Sequence, residues 1–440
     1  LLKTTYTRAL RHWRGILIAI SLGVLCVEVG RAFFDFTGLS VTAEVLPLVN
    51  IDAATYQHAG WLITQGAIPY IDVWEIKPPL AWYTPALLAL LSGSDMLLLH
   101  LLNVVVTCGV MLGVVYLVGA LAFDMTDSQE AGLVAGLVML ALPGFPYLAT
   151  LGFRPKYFML LFGLISVLLQ RKGQPFWSGV SAAAATGYVL QGAVFPALIL
   201  FLAIRDRHAD AALKSLAGMA LLTIAALIPI LIWGAALPML IEVVIAPLMS
   251  TEPQSLVARL AKFVQHTKYA LPLTAFGLFG LLRFGLGGRG DRLWVAIGGL
   301  AYAAQVMFLD FDSFPDLFGL HCFVSLGAGL LVAGGSVLTR RLVLAIVAPI
   351  LVTSTIWLGG LGVLFEEASP PAQEPTESVD ARMGLPNMAY IYWNKMLPES
   401  CHFRLGTIEK QWLQTTGHPL EERRCETQWD SHIGDLFRLK

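Results

Sequence analysis

Apolar runs long enough to cross a lipid bilayer recur along this chain, among them Gly15 to Phe34, Leu97 to Phe123 and Leu216 to Ala236. A hydrocarbon layer about 30 Å thick needs about 20 helical residues, each adding about 1.5 Å. Inside lipid a helix satisfies its own backbone polar groups, which is why such runs read as helices. Apolar residues make up 56% of the chain and charged residues 13%. That surface exceeds what one water-soluble core could hide, so the expected fold is an all-α polytopic membrane protein. The formal net charge of −1 gives no support for nucleic-acid binding.

Charge placement orients the runs. Arg8, Arg11 and Arg14 precede the first one, and no small-residue cleavage site follows it. An anchor with its N-terminus inside is therefore expected rather than a cleaved leader. Leu80 to Leu91 is apolar but short, covering only about 18 Å, and is read as interfacial or re-entrant. Crossings follow at Leu97 to Phe123, Ala131 to Tyr147 and Tyr157 to Gln170. Phe176 to Ile204 carries basic residues at both ends, which favours two short helices meeting near Gln191-Gly192 over one kinked span. Further crossings are read at Leu216 to Ala236, Ala270 to Leu282, Leu293 to Leu309, Leu317 to Leu338 and Leu342 to Phe365, with an amphipathic helix around Leu256 to Val264. The scheme has about eleven transmembrane helices, a cytoplasmic N-terminus and an outer C-terminus, and it places acid-rich loops on the outer face.

Residues 1–365 thus form the membrane domain, with a first outer loop at 35–96 carrying interfacial helices. Residues 366–387 are a Pro-rich linker, and 388–440 form a small extracytoplasmic domain. Cys401 and Cys425 are the cysteines of that domain. An outside location permits a disulfide between them, free thiols being the alternative.

The chemistry-bearing residues gather in the outer loops. Asp52 stands before a helical stretch, where an Asp also serves as an N-cap. A carboxylate held there is well oriented to take a proton from a hydroxyl. Lys77-Pro78-Pro79 sets an extended entry into the short helix and leaves an ammonium at the membrane boundary; snorkelling alone would account for such a lysine. Arg154-Pro155-Lys156 puts two cations on the face where positive residues are scarce, which points to an anion such as a lipid phosphate, bound for catalysis or merely as a headgroup. Tyr56, Asp72, Trp74, Glu75, Gln191 and the loop acids Asp310, Asp312 and Asp316 are the candidates for holding a sugar or acceptor. The loop acids could equally be solvated. No His/Cys cluster has zinc spacing, no cofactor is implied, and a divalent cation remains open. The chain has neither a P-loop nor a dinucleotide fingerprint, which favours a lipid-carried sugar donor over a nucleotide sugar.

The stretches Asp52-Ala-Ala-Thr-Tyr56, Gly66-Ala-Ile-Pro69-Tyr70-Ile-Asp72 and Lys77-Pro-Pro79-Leu80 resemble the GT-C type of polytopic glycosyltransferase. The resemblance implies a polyprenyl-phosphate sugar donor, with Asp52 in the place of the base and Lys77 in the place of the lysine that contacts lipid phosphate. Tyr56-Gln-His-Ala-Gly-Trp61, Trp74-Glu-Ile-Lys77-Pro-Pro79 and Cys401-His402-Phe-Arg-Leu are more closely similar to the haloarchaeal dolichyl-phosphate-mannose mannosyltransferases. That likeness implies transfer of mannose from dolichyl phosphate to a lipid-linked glycan in surface-glycoprotein N-glycosylation, at the cell membrane. The rival reading is a transporter or flippase of lipid-linked sugars. Such carriers place ionisable groups in mid-span and often carry internal repeats, whereas this chain keeps its charges in loops and shows no repeat.

Overall fold

The computed structural model describes residues 12–33, 49–73, 76–142, 144–206, 208–245, 255–287, 290–309, 311, 313–358, 392 and 395. Trp74, Glu75, Asp310, Asp312, Cys401 and Cys425, the linker and nearly all of the C-terminal domain lie outside them. The described residues are helical, with a single isolated bridge between Pro69 and Val73. The principal helices are α1 (Trp13–Phe33), α2 (Ile51–Thr64), α3 (Leu80–Ser92), α4 (Met96–Thr126), α5 (Gln129–Leu140), α6 (Pro155–Arg171) and α7 (Pro175–Tyr188). They continue as α8 (Val194–Arg205), α9 (Ala209–Ile232), α10 (Leu256–Thr267), α11 (Leu271–Gly280), α12 (Leu293–Phe308), α13 (Phe318–Gly334) and α14 (Val337–Val352).

Among the described residues, five helical segments are long and apolar enough to cross a membrane: Trp13–Ala32, Met96–Thr126, Ala209–Ile232, Phe314–Gly334 and Val337–Thr355. Leu80–Ser92, Gln129–Leu140 and Leu190–Arg205 are shorter apolar helices. Helix α13 is buried nearly all round and forms the centre, whereas α9 and α14 expose most of their apolar surface. Such exposure on an apolar helix suits contact with lipid. Close approach depends on small residues: a Cβ on Gly280 would lie 2.0 Å from Gly327 O, and one on Gly327 would lie 2.2 Å from Gly277 O. Packing without side chains at the seam is a common way for helices to associate in lipid.

One end of the bundle is basic and laced together. Arg171 Nε donates to Asp124 (2.6 Å) and Arg171 Nη1 reaches Asp291 O (3.5 Å). Arg205 donates to Gly290 O (2.5 Å), Arg292 donates to Met125 O (3.0 Å), and Arg340 pairs with Glu130 (2.7 Å). Because Arg171 and Arg205 both bond the 290–291 turn, α7 and α8 must leave this end and return to it. Val189 is extended, residues 190–193 form a 3-10 turn, and a Cβ on Gly192 would sit 2.4 Å from Ala185 O. The reversal expected near Gln191-Gly192 is therefore present.

Helix α10 is amphipathic where the sequence suggested, and its axis turns by 112° into the apolar helix that follows. Leu256, Val257, Leu260 and Val264 are exposed on one face, while Arg259, Phe263 and Thr267 are buried on the other. An apolar outer face lying across the direction of a span is the arrangement of a helix in the membrane interface.

Candidate active site

Helix α6 has 17 residues, so its first turn lies about 25 Å from the basic end. Around that first turn Asp52, Arg154, Lys156 and Asp316 come together. Asp52 is not the N-cap of α2, contrary to one sequence reading. Asn50 holds that place: its backbone is extended and its Oδ1 accepts the Asp52 N–H at 3.0 Å. An N-cap oxygen bonds the amide two or three positions on, which leaves the Asp52 carboxylate available for another partner. That partner is Arg154, whose Nη1 donates to Asp52 Oδ2 at 3.0 Å while Nη2 donates to Asn50 Oδ1 at 2.5 Å. The Arg154 side chain is 7% exposed and that of Asp52 is 52% exposed. The guanidinium thus grips the carboxylate from below and leaves much of Asp52 open.

Two residues on, Lys156 Nζ pairs with Asp316 Oδ1. Asp316 also accepts the Ser313 N–H at 2.8 Å, which stiffens the turn leading into α13. The two cations predicted to hold a phosphate are therefore each set against a carboxylate. Pro155 occupies the first helical position and Arg154 makes no side-chain cap. The positive end of the α6 dipole and two cations so coincide at one place, and Asp52 and Asp316 offset them.

The backbone of Lys77 is held by the turn that precedes it. The Tyr70 hydroxyl donates to Lys77 O at 2.7 Å, and Tyr70 adopts φ +67° inside a turn closed by its own N–H to Val73 O (2.8 Å). Asp72 Oδ2 accepts the Ile68 N–H at 2.7 Å and so helps to close this turn. The Tyr70 ring stands edge-on to Trp82 (6.2 Å), and Tyr56 lies between Trp82 (5.9 Å) and Phe153 (5.8 Å). A continuous aromatic wall thereby links the Lys77 turn to the residue before Arg154. Gln191 sits at the α7–α8 turn with its carbonyl accepting the Tyr302 hydroxyl at 3.2 Å.

The loop before Asp316 is clamped by α10. Arg259 donates to Val306 O and Leu309 O (both 3.2 Å), and Lys262 donates to Phe311 O (2.9 Å). Burial, and then the Lys262 charge, push the His266 pKa below its ordinary value against the pull of Asp316. Among the described residues no three His, Cys, Asp or Glu side chains converge as metal ligands. Sequence reasoning missed Asn50 and Gly152. An Asn two places before Asp52 was a legible cap signal, whereas Gly152 carried none.

The family described as DolP-mannose mannosyltransferase matches residues 66–228. A dolichol phosphate-mannose mannosyltransferase of Haloferax volcanii is 31% identical, over 88% of this chain and 93% of its own length. This chain belongs to the dolichol phosphate-mannose mannosyltransferase family. It is a glycosyltransferase enzyme and a multi-pass membrane protein, as the resemblance carried by residues 52–80 implied. The crystal structure of ArnT from Cupriavidus metallidurans bound to undecaprenyl phosphate shares the fold at a TM-score of 0.56 and 14% identity. That match covers 77% of this chain and 63% of the ArnT chain, so the chain spans less than two thirds of that protein. The GT-C fold class is thereby supported.

Proposed function

We propose that the enzyme transfers mannose from dolichyl phosphate-mannose to a lipid-linked glycan at the outer membrane face, in protein N-glycosylation. Asp52 takes the proton of the acceptor hydroxyl as its oxygen attacks the anomeric carbon. The bond from that carbon to the phosphate oxygen breaks, and dolichyl phosphate leaves. One displacement of this kind inverts the anomeric centre. Arg154, Lys156 and Lys77 stabilise the charge growing on the leaving phosphate. Tyr56, Trp74, Glu75, Gln191, Asp310 and Asp312 are assigned to binding the sugar or acceptor, while Asp72 and Asp316 support the turn before Lys77 and the Lys156 ammonium.

The observation carrying this reading is a half-open Asp52 gripped by a buried Arg154 and by Asn50, beside the uncapped start of α6. An orienting cation under a base and further cations within reach of a leaving phosphate are what this displacement requires. The sidedness of this reading is supported by Arg171, Arg205, Arg292 and Arg340, which collect at the far end. Positive residues favour the cytoplasm, so Asp52 faces outward. The reading includes about eleven crossings, an outer domain at 388–440 joined by the 366–387 linker, and a Cys401–Cys425 disulfide.

Purified enzyme given labelled dolichyl phosphate-mannose and a lipid-linked glycan should form a mannosylated product, and folded Asp52→Asn should not. Full activity of Asp52→Asn would end the assignment. Lys77→Ala should raise KM for the donor more than KM for the acceptor; equal changes would remove its phosphate role. An Asp52→Cys variant in intact cells should react with a membrane-impermeant maleimide, and labelling only after lysis would reverse the sidedness.

A further inference from the structure

Beneath the Asp52/Arg154 pair lies a fully buried polar cluster that the proposed reaction does not use. Gln57, one turn beyond Ala53 on α2, is buried together with His100 on α4 and Tyr392 from the C-terminal region. The Tyr392 hydroxyl donates to Met96 O, the first residue of α4, at 2.6 Å. It also stands 3.3 Å from Gln57 Oε1, which in turn is 3.1 Å from His100 Nδ1. The ring sets its edge against His100 at 6.5 Å. A hydroxyl carries one proton, so the shorter contact to Met96 is the donated bond and Gln57 flanks it.

Gln57 has a second neighbour. Gly152 adopts φ +114°, and a Cβ there would lie 2.3 Å from Gln57 Nε2 and 2.9 Å from Ala53 Cβ. Two residues after Gly152 comes Arg154, and one residue before Ala53 comes Asp52. The face of α2 that meets Tyr392 is thus also the face against which the Arg154 loop is seated. Any rotation or slide of α2 at Gln57 would alter the 3.0 Å contact between Arg154 and Asp52.

We infer that Tyr392 is a positioning residue: by keying the C-terminal region into the socket of Gln57, His100 and Met96, it fixes the register of α2 against the 151–154 loop and hence the aim of Asp52. This rests on the reading of Asp52 and Arg154 given above. Burial, with the nearby Asp95 charge, pushes the Tyr392 pKa well above the ordinary tyrosine range. The hydroxyl therefore stays a donor. Among the described residues of the 388–440 segment, Tyr392 is the one that enters this socket, and through it the segment is coupled to the transfer centre.

The test compares Tyr392→Phe, Gln57→Met and their double variant in the full-length enzyme, with activity expressed per folded molecule. Misplacing a reacting group by about 1 Å costs about 100-fold, and a partial release of register should lower kcat about tenfold with donor KM within about twofold. The double variant should be no worse than the poorer single one, since both changes release one contact. Wild-type kcat in either variant, a loss confined to KM, or losses that multiply would overturn the inference. Should Tyr392→Phe fail to fold, Gln57→Met alone decides by the same kcat criterion. Asp52→Asn runs beside them: if it stays active the reading of the site falls and takes the inference with it. A dead Asp52→Asn beside an unaffected Tyr392→Phe rejects the positioning role alone.

Discussion

Breaking the Lys156/Asp316 pair should cost unequally according to which partner is removed. The Asp316 side chain is 4% exposed and that of Lys156 is 16% exposed. Removing one member of a buried pair costs about 3–5 kcal/mol, because the survivor is left charged and unpaired. Lys156→Met takes the cation away from a carboxylate that has almost no access to water, so that range applies, about 3–5 kcal/mol. Asp316→Asn strands an ammonium on a flexible stem that reaches solvent, and its amide oxygen still accepts the Ser313 N–H. A loss of about 1–2 kcal/mol follows there. The double variant should lie near the milder single one, giving a coupling energy close to the Lys156→Met cost, about 3–5 kcal/mol. Equilibrium unfolding in mixed micelles, read as a full double-mutant cycle, measures all four species. Asp316→Asn proving costlier than Lys156→Met, or a coupling below about 0.5 kcal/mol, would refute the reasoning from burial.

Three more outcomes are expected. Arg154→Lys keeps the charge but cannot reach Asp52 and Asn50 together as the fork does; steady-state assays should show kcat lower by about 100-fold with thermal stability nearly unchanged. Gly152→Ala must push apart Gln57 and Ala53, and should cost about 1–3 kcal/mol of stability along with most of kcat, both measurable on the purified variant. His266 has its pKa depressed below 6.5, so the folded enzyme favours the neutral ring. The stability it contributes is complete above pH 6.5 and is lost as the pH falls through the folded value. Thermal melts of His266→Gln across pH should therefore show a flatter acid limb than those of the parent enzyme.

Much of the scaffold was legible because it is written locally. The length of an apolar run against the bilayer announces a span, and the alternation in Leu256–Thr267 announces an interfacial helix. Basic residues at Arg171 and Arg205 favoured an even number of passes between them, and the 189–193 turn supplies the reversal. Pro78-Pro79 marked the start of α3. Asp52, Lys77, Arg154 and Lys156 also stood out, since charges are rare in such a chain and those at its membrane boundary are noticeable.

What those charges do to one another was not written there. Arg154 meets Asp52 across 102 residues of sequence, Lys156 meets Asp316 across 160, and Tyr392 meets Gln57 across 335. No periodicity encodes such pairings. They follow from which helix faces pack together, and Gly152 permits one of them merely by lacking a Cβ. The Asn50 oxygen that caps α2 also accepts from the Arg154 guanidinium, and that second bond exists only because the Arg154 loop packs there. Composition and local pattern thus determined that the chain lives in lipid and which residues are chemically conspicuous. Only tertiary packing decided their partners, since a side chain acquires a neighbour through the meeting of two surfaces that the linear order leaves apart.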